Sequence, residues 1–124
     1  NDTKGIILTA DDDSQTLGMI NTVLIKAGYS SLLAMDGEQV LSICSRIVPD
    51  LILMDVRMPG LDGLSAAGII RELNPTVPII ATTAFAFETD REMALAAGCN
   101  GYMSKPLEAE KLKTMVERYL ENKL

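Results

Sequence analysis

Short runs of consecutive apolar residues, each ending at a polar side chain, constrain the fold of this chain more than any other feature. Residues 5–10 end at three consecutive aspartates, 11–13, and residues 51–54 end at Asp55. Apolar residues at consecutive rather than alternating positions are typical of strands covered on both faces, as in parallel sheets. We therefore predict buried parallel strands at residues 5–10, 31–35, 51–54, 77–82 and 101–104.

Amphipathic stretches separate these runs. Residues 14–27 place apolar side chains one helical turn apart before Gly28, and residues 112–120 follow the i, i+3, i+4, i+7, i+8 pattern of a helix with one buried face. Residues 64–73 and 89–98 predict further helices. A fifth helix, capped by Asp36, is expected to bury Val40, Leu41, Cys44 and Ile47. Alternating strands and helices predict an α/β fold with a five-stranded, doubly wound parallel sheet and five helices on its two faces.

Length and charge exclude several classes of function. The chain has 124 residues, the size of one ordinary domain, and its 11 basic and 17 acidic residues give a net charge of −6. This charge disfavours direct nucleic-acid contact, because phosphate binding requires clustered Lys and Arg. The absence of His excludes imidazole metal sites, a Ser–His–Asp triad and a role as a phosphohistidine carrier.

The cysteines and the lengths of the apolar runs indicate the cellular setting. Cys44 and Cys99 form no CxxC pair and lie in apolar helical patterns, as buried cysteines of a reducing compartment do. The apolar runs are far too short to cross a bilayer, and no signal peptide is visible. We therefore expect a cytoplasmic domain without membrane contact of its own. Because the chain begins at Asn1, we expect residues 1–124 to be a single domain from a longer protein, whose other parts can include a membrane anchor.

Polar side chains collect where the predicted strands end. Asp11 and Asp12 follow the first strand, Asp55 the third, Thr83 the fourth and Lys105 the fifth. The carboxyl ends of parallel strands lie along one edge of a sheet, so we expect these side chains to converge. Three neighbouring carboxylates repel each other unless one takes up a proton or a cation neutralises them, and oxygen ligands without His or Cys favour Mg²⁺. The alternative is that each acid merely caps the helix that follows it.

A carboxylate bound to Mg²⁺ beside a lysine is suited to phosphoryl transfer. An oxygen of Asp55 is a competent nucleophile, and its product would be an acyl phosphate. Lys105 would pair with one phosphoryl oxygen, and the Thr83 hydroxyl would donate to another. A cis bond before Pro106 would aim the Lys105 ammonium at this pocket. Judged alone, Lys105 is better explained as a solvated surface lysine.

Five short motifs follow one another in the chain: Asp11-Asp12, residues 54–63 (MDVRMPGLDG), Thr83-Ala84, Tyr102 and Lys105-Pro106. Each motif is weak alone, but their order and spacing together are highly specific. The chain, over essentially its whole length, resembles the response-regulator receiver domains of two-component systems. The resemblance implies the flavodoxin-like form of the doubly wound sheet predicted above.

The resemblance also implies a role for each matching residue. Asp55 corresponds to the phosphoacceptor. The direct Mg²⁺ ligands would be Asp12, the Asp55 carboxylate and the backbone carbonyl of Arg57, with Asp11 acting through water and Mn²⁺ as a substitute ion. The groups that hold the phosphoryl oxygens would be Thr83, the backbone amide of Ala84, and Lys105.

Thr83 and Tyr102 correspond to a switch pair. A phosphoryl group on Asp55 adds charge and acceptor oxygens, and a Thr83 hydroxyl that turns toward it opens space into which Tyr102 can rotate. The face formed by the fourth helix, the fifth strand and the fifth helix would then change shape for partners. Judged alone, Tyr102 is better explained as a half-buried strand aromatic with a solvated hydroxyl.

The resemblance implies that the phosphoryl group comes from a phosphohistidine of a histidine kinase or of a histidine phosphotransfer domain. The domain is then a signalling phosphoprotein rather than an enzyme, apart from its own phosphorylation and dephosphorylation. Residues 83–106 are similar to receivers of hybrid sensor histidine kinases, so such a kinase is the expected parent. A stand-alone receiver and the N-terminal part of a DNA-binding regulator are the alternatives. Receivers often dimerise through their last helices, and the sequence leaves the oligomeric state open.

Two rival functions belong to other classes. A Mg²⁺-dependent phosphohydrolase with an aspartyl-phosphate intermediate would need a general acid two residues after its nucleophile, where Arg57 has no transferable proton near neutral pH. A flavin carrier would need a phosphate-binding first loop, where the aspartates at 11–13 repel a phosphate in the absence of a metal.

Arg57 and Phe85 flank the predicted pocket mouth and would crowd an attacking water, so we also expect slow self-dephosphorylation.

Overall fold

The computed structural model describes residues 4–84 and 88–121, with the backbone alone for residues 88–90. Strands and helices alternate through this part of the chain, as predicted. The strands are β1 (Ile6–Ala10), β2 (Ser30–Ala34), β3 (Leu51–Asp55), β4 (Ile79–Thr83) and β5 (Gly101–Ser104). The helices are α1 (Ser14–Lys26), α2 (Gly37–Cys44), α3 (Gly63–Leu73), α4 (Glu88–Ala96) and α5 (Ala109–Glu121).

The five strands form one parallel sheet in the order β2-β1-β3-β4-β5. The chain adds β2 on one side of β1 and then crosses over to add β3 on the other side, which makes the gap between β1 and β3 the topological switch point. The register pairs Ala10 with Met54, so the residues that follow them leave the sheet side by side. The predicted doubly wound fold is confirmed.

Helices cover both faces of the sheet and enclose two apolar clusters. The central strand β3 contributes to both, because Ile52 and Met54 pack on one face while Leu51 and Leu53 pack on the other. All four side chains are at most 1% exposed. This two-sided burial explains why β3 is apolar at consecutive positions rather than at alternating ones.

Aspartates begin three of the helices. The side chains of Asp13, Asp36 and Asp62 accept hydrogen bonds from the backbone amides of the third residue after them, at the starts of α1, α2 and α3. In the acidic triplet that follows β1, the capping role therefore belongs to Asp13. Asp11 and Asp12 are therefore not the cap of α1.

The boundaries differ from the predictions in two informative places. Helix α2 ends at Cys44, so the prediction that Ile47 lies on its buried face is wrong, and Ile47 is 39% exposed. The Ser45 hydroxyl competes with the helical backbone at this end, because it donates to the backbone carbonyl of Ser42. Strand β4 begins at Ile79 rather than at residue 77, since Pro78 has no amide hydrogen with which to extend the ladder.

The two cysteines are free thiols; Cys99 is buried and Cys44 is half-buried. Burial raises the pKa of both thiols, that of Cys99 to about 11 despite the opposing charge of Arg71. They behave as small apolar side chains in this fold. Among the described helices, none has the length and apolar character needed to cross a membrane.

We expect Ile52→Ala to lower the free energy of unfolding by about 2–5 kcal/mol, because the fully buried side chain would leave a cavity between β3 and its covering helices. Denaturant-induced unfolding measures this change. The control is Ile25→Ala on α1, whose side chain is 56% exposed and whose removal should cost less than about 0.5 kcal/mol. Equal losses in the two variants would contradict the burial of β3 described above.

Candidate functional site

Three carboxylates meet at the switch point of the sheet. Asp11 and Asp12 follow β1, Asp55 is the last residue of β3, and one oxygen of each lies within 4.8 Å of the others. Asp11 and Asp55 are only 1% and 4% exposed, whereas Asp12 is open to solvent. The convergence expected from the strand ends is thus present, and helix capping does not account for it.

Lys105 reaches across the edge of the sheet to these carboxylates. Its ammonium lies 2.8 Å from Oδ2 of Asp11 and 3.3 Å from Oδ2 of Asp55. Its backbone amide donates to the carbonyl of Thr83 at 2.7 Å, which holds the end of β5 beside the end of β4. The bond between Lys105 and Pro106 is cis. Lys105 is therefore an internal ion-pair partner rather than a solvated lysine.

The charges in this cluster shift one another's protonation. Burial raises the pKa of Asp55 above its ordinary value, and the negative charge of Asp11 raises it further, while Lys105 and the amide of Arg57 act in the opposite direction. Burial opposes the charge on Lys105, but its hydrogen bond to Asp11 and the attraction of both carboxylates prevail, so its pKa is raised. The ammonium stays charged at neutral pH and compensates only part of the negative charge.

The backbone of the following loop orients Asp55. The amide of Arg57 donates to Oδ1 of Asp55 at 3.2 Å, while Oδ2 faces Lys105. The Arg57 side chain is exposed at the mouth of the site, next to a cleft of about 720 Å³ that Asp12 also lines. The cleft lies beside Asp55 on its Val56 and Arg57 side and is open to solvent at Asp12.

The remaining predicted residues lie on the neighbouring strands. Thr83 ends β4 and is 2% exposed, and the exposed Ala84 follows it. Tyr102 lies on β5, partly buried against the cluster that contains Ala94 and Cys99. Thr83 pairs in register with Ser104 and Tyr102 pairs with Ala81, so the predicted switch pair lies on neighbouring strands, two residues apart in register. Phe85 lies outside the described residues.

One contact was missed by the sequence reasoning. Lys105 was expected to face a phosphoryl group, and in this structure its shortest ion pair is with Asp11, which follows β1, a strand that is not a neighbour of β5. The strand order would have indicated this contact, since a lysine side chain is long enough to pass β4 and reach the carboxylates beyond it.

The donor set fits a hard divalent cation. Within residues 4–84 and 88–121, three carboxylates lie around the Lys105 ammonium, so they outnumber its charge, and two of the three are nearly excluded from water. Magnesium prefers oxygen ligands and few carboxylates, with the remaining positions open to water or phosphate. The exposed Asp12 leaves one side of the cluster accessible.

A doubly wound α/β protein with a cluster of carboxylates at its switch point is the class that this fold and site define. Residues 7–117 match the model of the response regulator receiver domain family. The chain belongs to this family, and it is a receiver domain of two-component signal transduction.

Relatives place this domain in different settings. An uncharacterized 14.6 kDa protein of Leptolyngbya boryana is 38% identical, over 91% of this chain and 88% of its own length. Hybrid signal transduction histidine kinase I of Dictyostelium discoideum is 36% identical over 93% of this chain, which spans only 7% of that kinase. The receiver domain of the sensor histidine kinase PA1611 from Pseudomonas aeruginosa is 39% identical, with a TM-score of 0.88 over 94% of this chain and 98% of that one. That receiver holds a magnesium ion in its active site cleft.

The raised pKa of Asp55 predicts a pH-dependent gain in stability for Asp55→Asn. The folded state disfavours the charged carboxylate, so without divalent cations the variant should be the more stable protein at pH 7. The stability advantage of Asp55→Asn over the wild type should shrink as the pH falls through the folded-state pKa of Asp55. It should vanish below the ordinary value of 3.8, where Asp55 of the wild type is protonated in both the folded and the unfolded state. Thermal unfolding across this pH range measures the difference.

The control for this prediction is Asp36→Asn, because Asn caps a helix as well as Asp does. We expect little change in stability from this substitution at any of these pH values. A less stable Asp55→Asn protein at pH 7 would contradict the electrostatic description of the site.

Proposed function

We propose that Asp55 is the phosphoacceptor of this receiver and takes its phosphoryl group from a phosphohistidine of a histidine kinase or a histidine phosphotransfer domain. The observation that carries the proposal is the position of the Asp55 carboxylate, 4% exposed, beside two further carboxylates and 3.3 Å from the Lys105 ammonium. An Asp55 oxygen attacks phosphorus, an O–P bond forms, and the P–N bond to the imidazole breaks. The released imidazole keeps the electron pair and takes up a proton.

The carboxylate cluster is proposed to bind Mg²⁺, with Mn²⁺ as a substitute. Asp12, Asp55 and the backbone carbonyl of Arg57 would be direct ligands, and Asp11 would act through water. The ion would neutralise charge on the transferred group. Support comes from the mutual distances of the carboxylate oxygens and from the magnesium bound by the similar PA1611 receiver.

Residues at the ends of β4 and β5 are proposed to hold the new phosphoryl group. Lys105 would pair with one oxygen, which requires that its ammonium share its contacts with Asp11 and Asp55. The Thr83 hydroxyl and the Ala84 amide would donate to the others. Thr83 is buried, and it follows Thr82, the residue that pairs with Asp55 in register.

The proposed output is a change in the face formed by α4, β5 and α5. A groove of about 660 Å³ runs along this face between β5 and α5, and both Tyr102 and Lys105 line it. Lys105 thus belongs to the groove and to the phosphorylation site at once. A response of Thr83, Tyr102 and Lys105 to the phosphoryl group would alter the surface that a partner meets. The size of this change is limited by the difference in contacts between the phosphorylated and the unphosphorylated state.

The setting of the domain is proposed from its relatives. The similarity to receivers of a hybrid kinase and of a sensor histidine kinase favours a hybrid histidine kinase as the parent, in the cytoplasm, with the kinase activity outside this domain. The Leptolyngbya relative, of which the match covers 88%, favours a stand-alone receiver as the alternative. A DNA-binding regulator remains the third arrangement.

We expect stoichiometric, Mg²⁺-dependent phosphorylation of Asp55 by a small acyl phosphate donor. Intact-mass spectrometry should detect one added phosphoryl group in the wild type and in the control Asp36→Asn, and none in Asp55→Asn or in the presence of a chelator. Labelling of Asp55→Asn, or labelling without a divalent cation, would contradict the proposal. Continuous turnover of phosphate esters would favour the phosphohydrolase instead.

We also expect Arg57 to prolong the life of the phosphorylated form by crowding the water that would attack it. Arg57→Asn should accelerate decay by about tenfold, equivalent to about 1.4 kcal/mol of the barrier. Arg46→Asn, at an exposed arginine two residues beyond the end of α2, is the matched control. Phe85→Glu tests the second predicted residue separately. Decay at the wild-type rate in Arg57→Asn and in Phe85→Glu would contradict the crowding hypothesis.

A further inference from the structure

The loop that follows Asp55 is enclosed between the first residues of two helices. A Cβ atom on Gly63, at the start of α3, would lie 1.9 Å from the backbone oxygen of Asp55. A Cβ atom on Gly37, at the start of α2, would lie 2.3 Å from the backbone oxygen of Leu61. Neither glycine has a positive φ, so both are required by space rather than by backbone conformation.

Further contacts hold the loop against these helices. The Gly63 amide donates to the carbonyl of Val56 at 3.1 Å. At Gly60, whose φ is +71°, an added Cβ would lie 2.8 Å from Oε1 of Glu38 on α2. The loop therefore rests on the first turn of α2 at two points, Gly37 and Glu38, and on α3 at a third.

This loop supplies the backbone of the cation site. Arg57 is its second residue, and its amide donates to Oδ1 of Asp55. Helix α2 itself contributes no residue to the carboxylate cluster. The loop backbone that it touches is therefore a route by which α2 can influence the site.

We propose that Gly37 is a positioning residue of the cation site: by letting the Leu61 carbonyl approach α2, it holds the loop where the Arg57 backbone can face Asp55. The inference rests on the proposed function, since it assumes that Mg²⁺ binds there. An alanine at this position would have to displace the loop backbone by about 1 Å to reach an ordinary contact distance. Loss of the groups that orient metal ligands typically costs about 10-fold to 100-fold in metal affinity.

The test measures Mg²⁺ affinity and stability separately in the unphosphorylated protein. Magnesium titrations followed by amide NMR should show about 10-fold to 100-fold weaker binding for Gly37→Ala than for the wild type. Phosphorylation of this variant by an acyl phosphate should recover when Mg²⁺ is raised to saturation. Magnesium affinity within twofold of the wild type would overturn the inference.

Two glycine variants are matched controls. Gly101→Ala introduces a close contact, 2.5 Å from the Tyr119 hydroxyl, but does so at the start of β5, away from the loop. Gly18→Ala introduces a methyl group into open space on α1. Both should bind Mg²⁺ as the wild type does, although Gly101→Ala should be less stable. If Gly101→Ala loses affinity as Gly37→Ala does, general destabilisation explains the loss and the inference fails.

A measurement on the wild type decides the question if Gly37→Ala does not fold. Saturating Mg²⁺ should slow hydrogen exchange of the Gly63 amide and of the Gln39 and Val40 amides in the first turn of α2. The Cys99 amide, bonded to the carbonyl of Ala94, serves as the remote reference. Unchanged exchange in α2 with Mg²⁺ bound would overturn the inference and leave the proposed function intact. A wild type that binds no Mg²⁺ would overturn both.

Discussion

The repulsion between two nearly buried carboxylates, relieved by one ammonium, is the interaction on which the site depends. Asp11 and Asp55 are 1% and 4% exposed, and Lys105 lies 2.8 and 3.3 Å from them. A folded protein tolerates such a cluster only if charge compensation is available, from a proton, a cation or both. Burial first, and then the negative charge of Asp11, raise the pKa of Asp55, and the same buried negative charge favours the binding of a divalent ion. The buried carboxylates therefore both lower the stability of the folded protein and favour cation binding.

The topology of the sheet determines which residues take part in this interaction. Because β1 and β3 are neighbours and the chain crosses over between them, Asp11 and Asp55 leave the sheet side by side. Lys105 follows β5, two strands away from β3, and only a long side chain can span that distance. The acidic residues thus lie at the switch point, whereas the Lys105 ammonium extends to them from the edge strand.

Most of the fold was predictable because the parallel strands are buried on both faces and appear as continuous apolar runs. The convergence of Asp11, Asp12 and Asp55 followed from the strand ends alone. What could not be predicted depends on backbone contacts in three dimensions. The sequence did not distinguish Asp13, a helix cap, from the two acids beside it, and it extended α2 to Ile47 beyond the serines that end it. The need for glycine at position 37 arises from the carbonyl of Leu61, which no local pattern indicates.

Lys105 would also limit how strongly the proposed phosphorylation of Asp55 drives a change of shape. Its ammonium already has an ion pair with Asp11 and another with Asp55, so a phosphoryl group gains only the difference between its own attraction and these existing contacts. Its amide is tied to the Thr83 carbonyl in the structure described, which restrains the backbone while the side chain is free to exchange partners. The larger response must then come from groups whose contacts differ more between the two states. In the proposed switch this response falls to Thr83 and Tyr102, which lie on the neighbouring strands β4 and β5, and Tyr102 lines the groove together with Lys105.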